Sequence, residues 1–123
     1  MPDRRRLELL LVEDDALVRV MLAMLLEDHG FHVVEAATGE AALRLIEGGP
    51  VLAALVTDVH LGPGIDGFVL AEGVRVLWPG LPVVFVTGRT GTPDRPHRAG
   101  EACLVKPFDG DALAGLVRDL AAA

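Results

Sequence analysis

Residues 7–15 read Leu-Glu-Leu-Leu-Leu-Val-Glu-Asp-Asp. Leu7 to Val12 is a short, nearly continuous apolar run of the kind that forms a strand buried on both faces. It stops abruptly in three acids, Glu13, Asp14 and Asp15. Downstream, Ala16 to His29 carries Leu17, Val20, Met21, Met24 and Leu25 at helical spacing, and Gly30 ends it. A strand, an acidic corner and a helix are therefore the first unit of the chain.

There is no internal repeat, but the alternation of short apolar runs and helical periodicity continues. Phe31 to Glu35 reads as a second strand, and Thr38 can cap a helix through Glu47 that Gly48-Gly49-Pro50 closes. Leu52 to Thr57 is a third strand. Asp66 can cap a helix carrying Leu70, Gly73, Val74 and Leu77, closed by Trp78-Pro79-Gly80. Pro82 to Thr87 and Ala102 to Val105 are strands four and five. Asp109 can cap a last helix with Leu113, Leu116, Val117 and Leu120 on one stripe. Strands alternating with helices require right-handed crossovers and a parallel sheet covered on both faces. Five of them predict a flavodoxin-like, doubly wound α/β fold with sheet order 2-1-3-4-5.

Composition fits one domain over residues 1–123, with 51% hydrophobic residues available for a core. A single cysteine, Cys103, allows no intrachain disulfide, in keeping with a reducing compartment. The net charge of −7 argues against a surface that grips nucleic acid. Arg4-Arg5-Arg6 reads as a solvated tail. No stretch looks like a signal peptide or a membrane span, so a soluble, cytoplasmic protein is expected.

In open α/β sheets, ligands bind outside the carboxyl ends of the strands. The polar residues there are Glu13, Asp14 and Asp15 after strand one, Asp58 after strand three, Thr87 ending strand four and Lys106 after strand five. Singly, each has an ordinary explanation: a helix cap, a β-former or a solvated lysine. Together, acids at neighbouring strand ends repel one another and invite a cation. Magnesium, with its preference for oxygen ligands, suits such a set. A carboxylate there can attack phosphorus, and a divalent ion and a lysine can stabilise the charge that develops.

Four short motifs sit at these strand ends in order: Leu-Val-Glu-Asp-Asp (Leu11 to Asp15), Val-Thr-Asp-Val (Val56 to Val59), Val-Thr-Gly (Val86 to Gly88) and Lys-Pro-Phe (Lys106 to Phe108). With them the chain resembles, over essentially its whole length, the receiver domain of bacterial response regulators. The resemblance implies that Asp58 takes a phosphoryl group from a histidine kinase, a histidine phosphotransfer protein or a small acyl phosphate. It further implies that Mg2+ is held by Asp14 and Asp58, by Glu13 through water and by the backbone carbonyl of His60. Lys106 would pair with the phosphoryl oxygens and Thr87 would hydrogen-bond them, while Asp15 would start the first helix. The Lys106–Pro107 bond would be cis.

Three departures from that family stand out. Cys103 occupies the place, three residues before the lysine, where the family usually has an aromatic. It reads as a small buried hydrophobe, with a redox role as the alternative. The segment Gly88 to Glu101, with three glycines, two prolines and no large apolar residue, predicts a short or irregular fourth helix. It is locally basic at Arg89, Arg95, His97 and Arg98, which suits either a solvated loop or one docking an acidic partner. A sheet left partly bare there would favour a homodimer. Third, His60, two residues after Asp58, could tune phosphoryl lifetime or sit in solvent. The strand-four ending and the missing aromatic resemble those of single-domain receivers of alphaproteobacteria.

Two rival readings remain. A phosphatase of the haloacid dehalogenase type would need a carboxylate at position 60, where this chain has His60. A pseudo-receiver, binding proteins without phosphorylation, would have little use for the retained Glu13, Asp14, Asp58, Thr87 and Lys106. If the chain is complete, its output runs through protein contacts rather than a DNA-binding region.

Overall fold

A computed structural model describes residues 8–49, 51–88, 99–106 and 109–122. The elements are β1 (Glu8–Val12), α1 (Ala16–Asp28), β2 (His32–Ala36), α2 (Gly39–Glu47), β3 (Ala54–Asp58), α3 (Gly67–Leu77), β4 (Val83–Thr87), β5 (Glu101–Val105) and α4 (Gly110–Ala122). All strand pairs are parallel, in the predicted order β2-β1-β3-β4-β5. Strands two and three begin one and two residues later than the sequence suggested, and β3 runs on to include Asp58. Asp58 Cα thus pairs with Val86 in the ladder rather than sitting in a loop. Among the described residues no helix lies between β4 and β5. Most of the irregular segment expected there, residues 89–98, falls outside the described residues, as do Arg4-Arg5-Arg6 and the Lys106–Pro107 bond.

Alternation along the strands divides the core into two layers. Leu10, Val12, Leu55, Val83 and Phe85 face α2 and α3, meeting Ala42, Ile46, Leu70, Ala71 and Val74. Leu9, Leu11, Val56, Val84 and Val86 face α1 and α4, meeting Leu22, Ala23, Leu26, Leu113, Ala114 and Val117. Cys103 is half-buried against the first layer, beside Phe85 in the ladder. Burial pushes its thiol pKa up, which works against a reactive thiolate. Among the described residues no helix is long and apolar enough to cross a membrane.

The face of α1 differs from the sequence reading. Leu17, Val20, Met21 and Met24 are 69%, 45%, 60% and 59% exposed, and the helix packs instead through Leu22, Ala23 and Leu26. Ala16 to Leu26 is apolar at every position but Arg19, so periodicity does not single out one stripe. Tertiary packing makes that choice.

Two polar contacts fasten the helices, one to the sheet and one to each other. The Glu101 carboxylate is fully buried at the start of β5, and Arg75 of α3 lies 2.6 Å from it. Removing one partner of a buried ion pair weakens the compensation of the charge that stays behind. Arg75→Ala should cost roughly 3 kcal/mol in urea denaturation. A loss below about 0.5 kcal/mol would mean that Arg75 is not what compensates the Glu101 charge.

His29, the C-cap of α1, directs Nδ1 at the Leu25 carbonyl (2.9 Å) and Nε2 at Asp111 Oδ1 of α4 (2.7 Å). An imidazolium can donate to both. The Leu25 hydrogen bond first and the Asp111 hydrogen bond second raise the His29 pKa above the usual value. The linked stability is therefore full below the unfolded pKa of about 6.5 and is lost as pH rises through the raised folded value. Asp111→Asn should lower the His29 pKa in an NMR titration; an unchanged titration would show that α1 and α4 do not meet there in solution.

Candidate functional site

The order β2-β1-β3 reverses the winding at β1, which opens a crevice at the carboxyl ends of β1 and β3. Glu13 and Asp14 follow β1, and Asp58 ends β3. One oxygen from each lies within 4.8 Å of the other two, with Glu13 and Asp58 buried and Asp14 exposed. Lys106, one residue beyond β5, bridges two of them: its Nζ donates to Glu13 Oε1 (2.9 Å) and to Asp58 Oδ2 (3.2 Å). Its backbone N–H donates to the Thr87 carbonyl (2.7 Å), so Lys106 leaves the sheet in register with β4. Thr87 is itself buried at the end of β4.

Backbone amides hold three further carboxylate oxygens. The His60 N–H donates to Asp58 Oδ1 (3.1 Å), and the Gly62 N–H to Asp14 Oδ2 (3.0 Å). Glu13 Oε2 accepts the Asp15 N–H (3.1 Å). Asp15 starts α1, as expected, accepting from Leu17 N and Val18 N. Arg19, one turn into α1, reaches back to the Glu13 carbonyl (3.0 Å) and to Glu35 on β2 (3.3 Å), which fixes the corner from below. The His60 side chain is exposed on the rim of an open depression of about 420 Å³, lined also by Asp14, Leu61, Gly62, Gly64 and Asp66.

The electrostatics follow from this crowding. Burial pushes the Glu13 carboxyl up; the Lys106 and Asp15 hydrogen bonds oppose that without cancelling it, and the Asp58 charge adds to it. Burial by itself would pull Lys106 down, but the Glu13 hydrogen bond and the two carboxylate charges outweigh it and raise its pKa. Three carboxylates against one ammonium, −3 + 1, leave a formal charge of −2 among these four side chains. The donors are all oxygen, the type that hard divalent cations prefer. The residues present thus fit a magnesium-sized cation in both charge and donor type.

All six residues predicted for the site stand at this end of the sheet: Glu13, Asp14, Asp58, His60, Thr87 and Lys106. The structure adds three that the sequence reading passed over. Gly62 holds Asp14, and Glu40 of α2 accepts the Ile65 N–H (3.0 Å). Gly67 opens α3 so close to β3 that a β-carbon there would lie 2.2 Å from the Asp58 carbonyl oxygen. A glycine directly after the helix cap Asp66 was the one visible sign of that approach.

A family model described as the response regulator receiver domain matches residues 9–118, and the chain belongs to that family. Among curated relatives it is similar to response regulator Rre1 of Synechocystis, 38% identical over 94% of this chain and 52% of the relative. It is also similar to the transcriptional regulatory protein AfsQ1 of Streptomyces coelicolor, 37% identical over 89% of this chain and 49% of the relative. The chain spans between a quarter and about half of the curated relatives it matches. Solved structures match nearly end to end. The receiver domain of the hybrid histidine kinase CckA is 36% identical, with TM-score 0.79 over 93% of this chain and 98% of that one. A response regulator receiver protein from Sinorhizobium medicae is 26% identical, with TM-score 0.84 over 98% of both chains.

Gly67→Ala should cost about 1–3 kcal/mol, since backbone cannot yield as a side-chain tip can. It should also move the amide resonances of Asp58 and Val59. A variant that melts with the wild type and leaves those resonances in place would mean that α3 stands farther from β3.

Proposed function

We propose that this chain is a phospho-acceptor switch in which Asp58 takes a phosphoryl group in a magnesium-dependent site. The observation that carries the reading is the setting of the Asp58 carboxylate. One oxygen is held by the His60 amide, the other faces the Lys106 ammonium, and Glu13 and Asp14 stand beside it. A lone structural acid at a strand end has no need of such surroundings.

The chemistry is an in-line displacement. An Asp58 oxygen forms the new bond to phosphorus as the donor's bond to phosphorus breaks, and that electron pair leaves with the donor's nitrogen or oxygen. Lys106 then pairs with the phosphoryl oxygens in place of the bare carboxylate. Glu13, Asp14, Asp58 and the His60 carbonyl are the groups that would hold Mg2+, which when bound neutralises charge on the transferring phosphoryl group. Thr87, buried on the adjacent strand, would hydrogen-bond the product and report it to β4.

Response regulator receivers work with histidine kinases or histidine phosphotransfer proteins, and one of these is the proposed donor, acting in the cytoplasm. The chain would act as a signalling switch rather than a turnover enzyme, with output through protein contacts. Phosphorylation adds charge and acceptor oxygens at a site already tied to three strands, which is how a local modification biases a larger element.

Intact-protein mass after incubation with acetyl phosphate tests the reading. Wild type with Mg2+ should gain a single phosphoryl adduct; removal of the metal, or Asp58→Asn, should abolish it. An adduct that survives Asp58→Asn would refute the assignment of the nucleophile. No adduct under any condition would turn the proposal toward a receiver that binds partners without phosphorylation.

A further inference from the structure

The loop between β3 and α3 touches the acidic cluster at two points. His60 N–H binds Asp58, and Gly62 N–H binds Asp14. Pro63 fixes its own φ, but the glycines on either side of it at 62 and 64 leave the rest of the loop free. Something must hold it if Asp14 is to be held. Three residues past Gly62, the Ile65 N–H donates to Glu40 Oε2 (3.0 Å), a side chain from the first turn of α2.

The fit around that hydrogen bond is close. Gly64 has φ +103°, and a β-carbon there would lie 2.6 Å from Glu40 Oε2 and 2.9 Å from Oε1. The carboxylate therefore occupies the space that any other residue at 64 would claim. Next to it, a β-carbon at Gly39 would lie 2.5 Å from Ile65 Cγ1. Two neighbouring residues of α2 and two neighbouring residues of the loop are thus fitted to each other. Glu40 does not belong to the acidic cluster itself, since the three grouped carboxylates are those of Glu13, Asp14 and Asp58.

We infer that Glu40 is a positioning residue for the metal site: by clamping Ile65 it sets the 60–65 loop, and through Gly62 and His60 it orients Asp14 and Asp58 toward the cation. The inference rests on the magnesium reading above. The Ile65 hydrogen bond also draws the Glu40 pKa below the usual carboxylate value. Groups that orient metal ligands from outside typically change affinity by about 10- to 100-fold when removed.

The test is a Mg2+ titration of the 15N-labelled full chain, followed through the amide shifts of Asp14, His60 and Gly62. Three variants separate reach from charge. Glu40→Asp keeps the charge but is one methylene too short for Ile65. Glu40→Gln keeps the reach and an acceptor oxygen but loses the charge. Glu40→Ala loses both. Glu40→Asp and Glu40→Ala should bind Mg2+ about 10-fold more weakly than wild type. Glu40→Gln should stay within about threefold. If Glu40→Ala does not fold, the Asp and Gln variants decide the matter by themselves.

Wild-type affinity in Glu40→Asp would overturn the positioning role and leave the metal site standing. Equal weakening in Glu40→Gln and Glu40→Ala would also overturn it, since charge rather than the clamp would then be responsible. A wild-type chain whose amides ignore Mg2+ would overturn both this inference and the magnesium site beneath it.

Discussion

The Lys106 ammonium, held between Glu13 and Asp58, is the contact on which the carboxyl edge of the sheet depends. Folding drives the ends of β1 and β3 together because Leu9 to Val12 and Ala54 to Val56 are fully buried. Their terminal acids have to follow, against their mutual repulsion. A lysine from the end of β5 reduces that repulsion and ties three strands at their tips. It does not cancel it: burial first, and the Asp58 charge after it, still push Glu13 toward its neutral form. The fold thus carries an excess of negative charge at one place, and relief comes from whatever cation or charge redistribution arrives there. Apolar burial supplies the force, and the site is where the cost of that burial collects.

Much of this was legible in the sequence because it rests on local signals. Short apolar runs ending in Asp, Thr or Lys mark strands that end at a functional edge, and Gly, Pro and Asp punctuate the helices between them. Sheet order followed from the alternation of strands and helices, and the site from the identity of the strand-end residues. Asp58 lies one residue beyond the apolar run Leu52 to Thr57, yet its place among the acids at this edge was readable from residue type alone.

What could not be read depends on packing between distant segments. The buried face of α1 could not be singled out, because nearly every position from Ala16 to Leu26 would serve as a core residue. Leu22 and Ala23 are chosen by the sheet beneath them. The Arg75–Glu101 pair joins residues 26 apart, and neither has a local pattern that names the other. Glu40 in the first turn of α2 looks like an ordinary helix-dipole acid, and its partner at Ile65 appears only when the loop is in place. Gly67 is the intermediate case, since a glycine at a helix start hints at close approach without saying to what.

The replacement of an aromatic by Cys103 bears on how a signal could leave the site. Cys103 lies opposite Phe85 in the ladder, half-buried, with its thiol pKa raised by burial, so it is a packing residue without a ring to swing. A path out of the site must then run through groups that already touch. Lys106 is such a group, because its side chain senses Asp58 while its backbone N–H is bonded to the Thr87 carbonyl at 2.7 Å. A change in what its ammonium pairs with would bear on the junction of β4 and β5. That junction flanks residues 89–98, the stretch whose composition departs most from the family. Coupling here needs no rotating aromatic; it needs only that the lysine and the end of β4 move as one.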